Sequence, residues 1–279
     1  MTLPISFDYY TATTFEQSTE FVIQEILKAI PQASHQRGKP QTNYKRGYSI
    51  DRDDQHFCTV SDTDRENMGV NIESKSNCDY VIPTIKKWDH QVSRVDACID
   101  ITDPFFFEWA NAELVKEALK LNLTIDQAGD WERSKSRTRY IGTRRSLIQI
   151  CLYEKGQKER ADPDWVRLEV RLRPRKMKQK RQIATFTADE VFSYPDYMKH
   201  IIDCIGNRYI DRAKAKIRTP TNETKTRYYL CSQYRRILTD WIEQCGSEQM
   251  TEQMQSVFSA IETGENPSKI MEIVERKSE

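Results

Sequence analysis

Three segments of alternating apolar and polar residues constrain the fold of this chain more than any other feature. They span residues 93–102, 147–155 and 165–174. A period of two is typical of a β-strand with one buried face and one solvated face. If the three strands share one sheet and one core, their polar residues must share the opposite face. The sequence therefore predicts a sheet whose solvated face is built from all three segments.

The polar side of these segments contains several side chains able to do chemistry: Asp96, Asp100, Tyr153, Lys155 and Glu169. Carboxylates are the hard oxygen ligands that Mg²⁺ and Mn²⁺ prefer, and a tyrosine can attack phosphate as a covalent nucleophile. This pattern predicts a metal-assisted phosphoryl-transfer site. The simpler alternative is a solvated surface on which the acids pair with neighbouring arginines. Strand rise places Asp100 about 13 Å from Asp96, so one ion can bind both only if the strand bends.

The bulk composition excludes several classes of protein. The chain has 279 residues, of which 30% are charged and 38% hydrophobic, and its net charge is only +1. No apolar run is long enough to span a bilayer, and the first residues do not resemble a signal peptide. The seven cysteines are scattered without a C-x-x-C pair, which indicates free thiols in a reducing cytoplasm. No P-loop motif is present.

The fold class predicted from these patterns is α+β. We expect an antiparallel or mixed central β-sheet with helices packed on one face, and a mostly helical C-terminal region. A sheet-containing catalytic domain is expected over residues 1–210, with its first 90 residues less clearly patterned, followed by a helical region over 211–279. Among the individual elements, we expect helices over 15–30, 77–88, 105–120 and 225–245, a loop over 32–40, a strand near 121–126 and a hairpin loop over 156–164.

The charge is unevenly distributed along the chain. Between Trp131 and Gln182 there are 17 Lys and Arg residues against 6 Asp and Glu residues. Such a local excess favours a polyanion lying across the predicted face over an ordinary solvated surface. The candidate DNA-binding residues are Arg94, Arg139, Arg144, Arg145, Arg167, Arg171, Arg173 and Lys176.

Four blocks in order resemble one known family. They are R-V-D-A-C-I-D-I-T-D from Arg94, R-Y-I-G-T-R-R-S from Arg139, C-L-Y-E-K-G from Cys151, and V-R-L-E-V-R-L-R-P from Val166. The chain resembles the replication initiation factor (Rep_trans) family, which comprises rolling-circle initiators of plasmids and filamentous phages and is related to the HUH endonucleases. The resemblance covers roughly residues 91–246.

This resemblance implies a site-specific DNA nickase and strand transferase. Its nucleophile would be Tyr153, which would keep the 5′ end as a phosphotyrosine, and Lys155 would contact phosphate. A divalent ion, Mg²⁺ or Mn²⁺, would bind Asp96 and Glu169 with support from Asp100. The chain has no His-hydrophobic-His motif, so the ion must depend on carboxylates, with His90 a distant further candidate.

The resemblance also implies partners and a location. The partner would be origin DNA, as a single-stranded or hairpin nick site, in the cytoplasm of a bacterial host. A host helicase, a polymerase and a second copy of the chain are further candidates, and no membrane is expected. Two other functions stay open: a non-catalytic DNA-binding regulator of replication or transcription on the same fold, and a relaxase- or recombinase-type transferase. Tyr140 is the nearest rival to Tyr153.

Overall fold

The computed structural model describes residues 4–75, 77–205 and 235–262. Within these residues, ten strands form one sheet in which every pairing is antiparallel. The strands are β1 (Ser6–Thr14), β2 (Ser34–Gly38), β3 (Arg46–Arg52), β4 (Gln55–Asp62), β5 (Val70–Lys75), β6 (Gln91–Thr102), β7 (Ile125–Asp130), β8 (Lys135–Ile141), β9 (Ile148–Glu154) and β10 (Trp165–Leu172). Their order in the sheet is β2-β3-β4-β5-β1-β6-β10-β9-β8-β7.

The described helices lie between and after the strands. They are α1 (Thr19–Ala29), α2 (Cys78–Ile85), α3 (Phe106–Lys120), α4 (Lys155–Glu159), α5 (Met177–Ala184), α6 (Ala188–Phe192), α7 (Lys199–Cys204), α8 (Arg235–Cys245) and α9 (Ser247–Glu262), with a 3-10 turn at Asp196–Met198. This content confirms the predicted α+β class and the helical C-terminal region. In the described residues, no helix combines the length and the apolar character needed to cross a membrane.

The three alternating segments are the neighbouring strands β6, β10 and β9 at the centre of the sheet. Their apolar residues meet in cross-strand rows, for example Ala97, Val170 and Ile150, and all three side chains are fully buried. Such rows of β-branched and aliphatic side chains stabilise antiparallel pairing. The predicted alternation therefore corresponds to one core face and one polar face.

The helices cover the core face, and contacts from three regions of the sheet show this. The Tyr10 hydroxyl reaches the carbonyl of Ala184 in α5, Asp62 accepts a hydrogen bond from Thr19 in α1, and Arg137 in β8 bonds α3. We call this side the helix-covered face. The opposite side, which contains Asp96, Asp100, Tyr153 and Glu169, is called the polar face below.

The most consequential element that the sequence patterns missed is β1. It pairs with β5 on one side and with β6 on the other, so it lies next to the three central strands. Its register shifts between Phe7 and Tyr9, which pair with Ala97 and Asp96. Asp8 is therefore the extra residue of a β-bulge, a feature that locally redirects side chains.

Several other predicted elements differ from the structure. The expected loop over 32–40 contains the edge strand β2, and the strand expected near 121–126 begins only at Ile125. The expected hairpin loop begins with the short helix α4, so Lys155 is the first residue of a helix and does not extend β9. The N-cap of α3 is Phe105, whose amide donates to the Asp103 carboxylate at 2.7 Å.

Contacts within the chain divide it into two units, Met1–Lys216 and Ile217–Glu279. The predicted boundary between residues 210 and 211 lies outside the described residues and stays a prediction. The first part of the predicted helix over 225–245, residues 225–234, also lies outside them, and its described part is α8. In the second unit, the indole of Trp241 in α8 donates to Gln253 in α9 at 2.7 Å.

Candidate active site on the polar face

The strand register brings the predicted site residues of β6, β9 and β10 onto one face. Tyr153 lies opposite Arg167, which lies opposite Asp100. In the next row of this face Glu169 lies between two cysteines, and in the row after that Asp96 lies opposite Arg171. Glu169 is thus a diagonal neighbour of both Tyr153 and Asp96, within reach of their side chains.

Asp96 and Glu169 form a buried carboxyl pair. Their exposed fractions are 0% and 1%, and a hydrogen bond joins the two groups. Burial, together with the negative charge of Glu169, raises the pKa of Asp96 to about 7. The guanidinium of Arg171 holds the pKa of Glu169 below its ordinary value against the opposing effect of burial. The pair therefore shares one proton around neutral pH.

Two arginines bind the outer sides of this carboxyl pair. Arg94 Nε donates at 3.0 Å to each oxygen of Asp96. Arg171 makes a two-point contact with Glu169, with Nε 2.9 Å from Oε1 and Nη2 2.8 Å from Oε2. Charge-assisted contacts of this fork geometry fix side-chain orientation. The pair is therefore rigid as well as buried.

Asp8 is a site residue that the sequence reasoning missed. The bulge in β1 directs its carboxylate to Arg167 Nη1 on the polar face. The same guanidinium is bound from the other side by Asp100, with Nε 2.6 Å from Oδ1. Arg167 is thus held between two acids, directly opposite Tyr153. Asp100 is occupied by this arginine and lies apart from the carboxyl pair.

Tyr153 is half-buried, and its hydroxyl has no hydrogen-bond partner among the described residues. Burial, followed by the charge of Glu169, raises the pKa of Tyr153 well above its ordinary 10.0, whereas Arg167 acts to lower it. The ammonium of Lys158 lies 5.5 Å from the ring centroid. The phenol is therefore neutral at physiological pH, and a reaction at its oxygen requires a proton acceptor.

Lys155 reaches the polar face from the start of α4. Its Nζ lies 3.9 Å from Asp100 Oδ2 and 4.5 Å from the centroid of the Trp165 ring. Burial and the nearby charge of Arg167 lower the pKa of Lys155. The structure therefore places this ammonium beside the Arg167–Asp100 pair.

Among the described residues, Tyr9 and Tyr140 also lie on the polar face. Tyr140 is opposite Cys151, and Tyr9 is opposite Asp96. The Tyr9 hydroxyl donates to Glu73 Oε2, and the Arg94 guanidinium lies 4.0 Å above its ring. Burial and that hydrogen bond raise the pKa of Tyr9 to about 12. An experiment on the nucleophile must therefore distinguish Tyr153 from these two phenols of the described residues.

The candidate DNA-binding residues are distributed over both faces. Arg94, Arg167, Arg171 and Arg173 lie on the polar face. Arg139 lies on the helix-covered face, where it bonds Asn111 at 2.8 Å and stacks over Trp131 at 4.2 Å. The exposed residues Arg144 and Arg145 follow β8 in a turn, and the exposed Lys176 precedes α5.

The donor set of the polar face fits a divalent ion only in part. Among the described residues, no group of three or more His, Cys, Asp or Glu side chains is arranged to hold a metal. Asp96 and Glu169 alone match the mode in which Mg²⁺ binds one or two carboxylates and completes its shell with water and substrate phosphate. His90 lies on the helix-covered face with Nε2 2.8 Å from the Tyr10 hydroxyl, so it lies apart from this pair.

Comparison with known proteins adds one finding about the fold. No family model matches the chain, and no curated protein matches it. A solved structure, the "Structure of Rolling Circle Replication Initiator Protein from Geobacillus stearothermophilus", has a similar fold, with a TM-score of 0.51 and 18% sequence identity. The match covers 81% of this chain and 95% of that chain. At this identity the likeness concerns the fold alone.

Proposed function

We propose that this chain is a rolling-circle replication initiator that nicks and rejoins origin DNA through Tyr153. The supporting observation is that one sheet face brings a tyrosine, a buried carboxyl pair and an arginine held by two acids together. The fold on which they lie is similar to that of an initiator protein. The four sequence blocks that resemble the Rep_trans family supply the central strands of this face.

In the proposed reaction, the Tyr153 oxygen attacks the phosphorus of one phosphodiester. The bond from phosphorus to the 3′ oxygen breaks, the 5′ phosphate stays on the tyrosine, and the 3′ oxygen takes up a proton from water. Glu169 and Asp8 are carboxylates whose negative charges act on Tyr153, and the phenolic proton is proposed to pass to one of them. Arg167 stabilises the developing phenolate, and Lys155 contacts the phosphate. Rejoining is the reverse attack by a 3′ hydroxyl.

Asp96 and Glu169 are the residues that would hold a divalent cation, Mg²⁺ or Mn²⁺. When bound, such an ion would stabilise the negative charge of the phosphate oxygens in the transition state. The proton shared by the two acids must leave first, because a ligand carboxylate is deprotonated. Asp100 is already bound by Arg167, so we assign to it the positioning of that guanidinium.

The test is a nicking assay with Tyr153→Phe on supercoiled DNA from the replicon that encodes the chain. The wild-type chain should relax this DNA and form a covalent adduct that survives denaturing electrophoresis. The Tyr153→Phe variant should do neither, whereas Tyr9→Phe and Tyr140→Phe should retain both activities. Mass spectrometry of the adduct should identify the peptide that contains Tyr153. An adduct on Tyr9 or Tyr140 refutes the assignment.

A second variant tests the carboxyl pair. Glu169→Gln should lose metal-dependent cleavage while still binding DNA, and Glu132→Gln, an exposed control, should behave as the wild type does. Binding is measured by filter retention and cleavage over a series of Mn²⁺ concentrations. Unchanged cleavage at limiting Mn²⁺ removes Glu169 from the list of ligands.

The non-catalytic regulator remains the second candidate function. One observation favours it: burial raises the pKa of Tyr153, and no described residue bonds its hydroxyl. A regulator should bind DNA in a salt-sensitive way and form no adduct with any of the three tyrosines in the presence of Mg²⁺ or Mn²⁺.

A further inference from the structure

One arginine on the polar face forms no salt bridge with an acid among the described residues. Arg94, Arg167 and Arg171 each contact a carboxylate at salt-bridge distance. Arg173 does not: among the described residues its guanidinium bonds only the amide oxygen of Gln149, with Nη1 3.1 Å from Oε1. Arg173 therefore forms no salt bridge within the described part of the chain, and only the more distant charges of Asp96 and Glu169 offset its own.

The surroundings make this charge unfavourable. Leu172 pairs with Val95, so the next position along the strand places Arg173 opposite Arg94. Like charges directly opposite each other destabilise a sheet. Burial and the charge of Arg94 lower the pKa of Arg173, against the opposing effect of Asp96 and Glu169. This half-buried arginine forms no ion pair among the described residues, and an anionic ligand would supply one.

The guanidinium is also held in place. Gln149 is only 3% exposed; it accepts the bond from Arg173 and donates through Nε2 to the Gly142 carbonyl at 3.3 Å. Gly142 has φ +84°, and a Cβ there would lie 2.7 Å from the Ile148 carbonyl oxygen. The turn that follows contains Arg144 and Arg145. The neutral, buried amide of Gln149 thus fixes the position of the Arg173 guanidinium without neutralising its charge. A positive charge held in this way is suited to binding an anion.

We propose that Arg173 binds a DNA backbone phosphate other than the one that is cut. Arg173 lies six residues along the chain from Arg167, the residue opposite Tyr153. At the usual strand rise, this separation is about 20 Å. The bound strand would therefore run along β10, with the reacting phosphate near Arg167 and a second phosphate near Arg173. The phosphate site itself requires only DNA binding; its distance from the nick rests on the proposed function.

The test compares Arg173→Gln with Lys116→Gln, an exposed cation on α3, in binding a fluorescent single-stranded oligonucleotide in EDTA. Each phosphate contact adds about 0.7 to the slope of log K against log salt for single strands. Arg173→Gln should reduce the slope by about 0.7 and weaken binding about tenfold at low salt. Lys116→Gln should change neither, and the thermal midpoint of Arg173→Gln should equal or exceed that of the wild type.

A second measurement locates the phosphate. Oligonucleotides with a single neutral methylphosphonate linkage are bound to the wild type and to Arg173→Gln. When the neutral linkage is at one particular position, the wild type and Arg173→Gln should bind the oligonucleotide with equal affinity. Equal slopes and affinities for the wild type and Arg173→Gln overturn the phosphate site even if Tyr153 cuts DNA. Conversely, if the Tyr153→Phe variant still cuts DNA, Tyr153 is not the nucleophile. The salt slopes of the wild type and Arg173→Gln then still show whether Arg173 binds a phosphate.

Discussion

Replacing Asp96 by asparagine tests the shared proton of the carboxyl pair without any DNA. Folding raises the pKa of this acid from an ordinary 3.8 to about 7, first because it is buried and also because Glu169 lies beside it. Between these values the folded chain keeps a proton that the unfolded chain has lost. The free energy of unfolding must therefore fall as the pH rises through this range.

The magnitude follows from linkage. One proton changes the free energy of unfolding by about 1.4 kcal/mol per pH unit, so a shift of about three units corresponds to roughly 4 kcal/mol in all. The folded pKa of Glu169 is lowered. Its stabilising contribution is lost only as the pH falls below about 4.5, and the interval from pH 5 to pH 7 therefore reports mainly on Asp96.

Urea unfolding followed by circular dichroism at pH 5, 6, 7 and 8, with EDTA present, measures this effect. Relative to Asp96→Asn, the wild type should lose about 2–3 kcal/mol between pH 5 and pH 7. The exposed control Asp126→Asn should differ from the wild type by a constant amount. If the wild-type and Asp96→Asn curves run parallel over this range, the two acids do not share a proton and the reasoning is wrong.

Three further variants test other contacts. Asp8→Asn should remove one of the two acids that hold Arg167 and, under the proposed function, lower the nicking rate several-fold while leaving DNA affinity nearly unchanged; an equal loss of affinity would instead indicate a binding role. Glu154→Gln weakens the buried contact with Arg137 (2.8 Å), and should cost roughly 1.5–3 kcal/mol in urea unfolding, against none for Glu132→Gln. Gly156→Ala places a Cβ 1.6 Å from the Asp162 carbonyl oxygen; it should cost about 1–3 kcal/mol, and wild-type stability would show that the α4 turn relaxes freely.

The alternation of apolar and polar residues was sufficient to predict the centre of the sheet. In β6, β9 and β10 every second side chain enters the core, so the period of two is uninterrupted and the shared face follows from it. In β1 the bulge at Asp8 breaks this period just where the strand meets the site. The density of aromatic and β-branched residues from Phe7 to Thr14 is the remaining signal for a strand there.

Long-range partners explain why the charged residues were harder to place. Arg137 and Arg139 alternate with Thr138 and Tyr140, and two arginines on one side suggest a solvated face. Instead they point to the helix-covered face, where acceptors from α3 lie 28 or 29 residues earlier in the chain. No local pattern encodes such a pairing. The same holds for Asp100, whose partner Arg167 lies 67 residues away.

The position of β10 determines when the site is complete during synthesis of the chain. This strand is the last of the ten described strands to be made, yet it lies between β6 and β9. A nascent chain that ends after β9 contains Tyr153 and Asp96, but it lacks Glu169, Arg167 and the strand that joins the two halves of the sheet. Asp8 is synthesised 159 residues before its partner Arg167. Contacts so distant in sequence form slowly, so the polar face is assembled only once nearly the whole sheet has been synthesised.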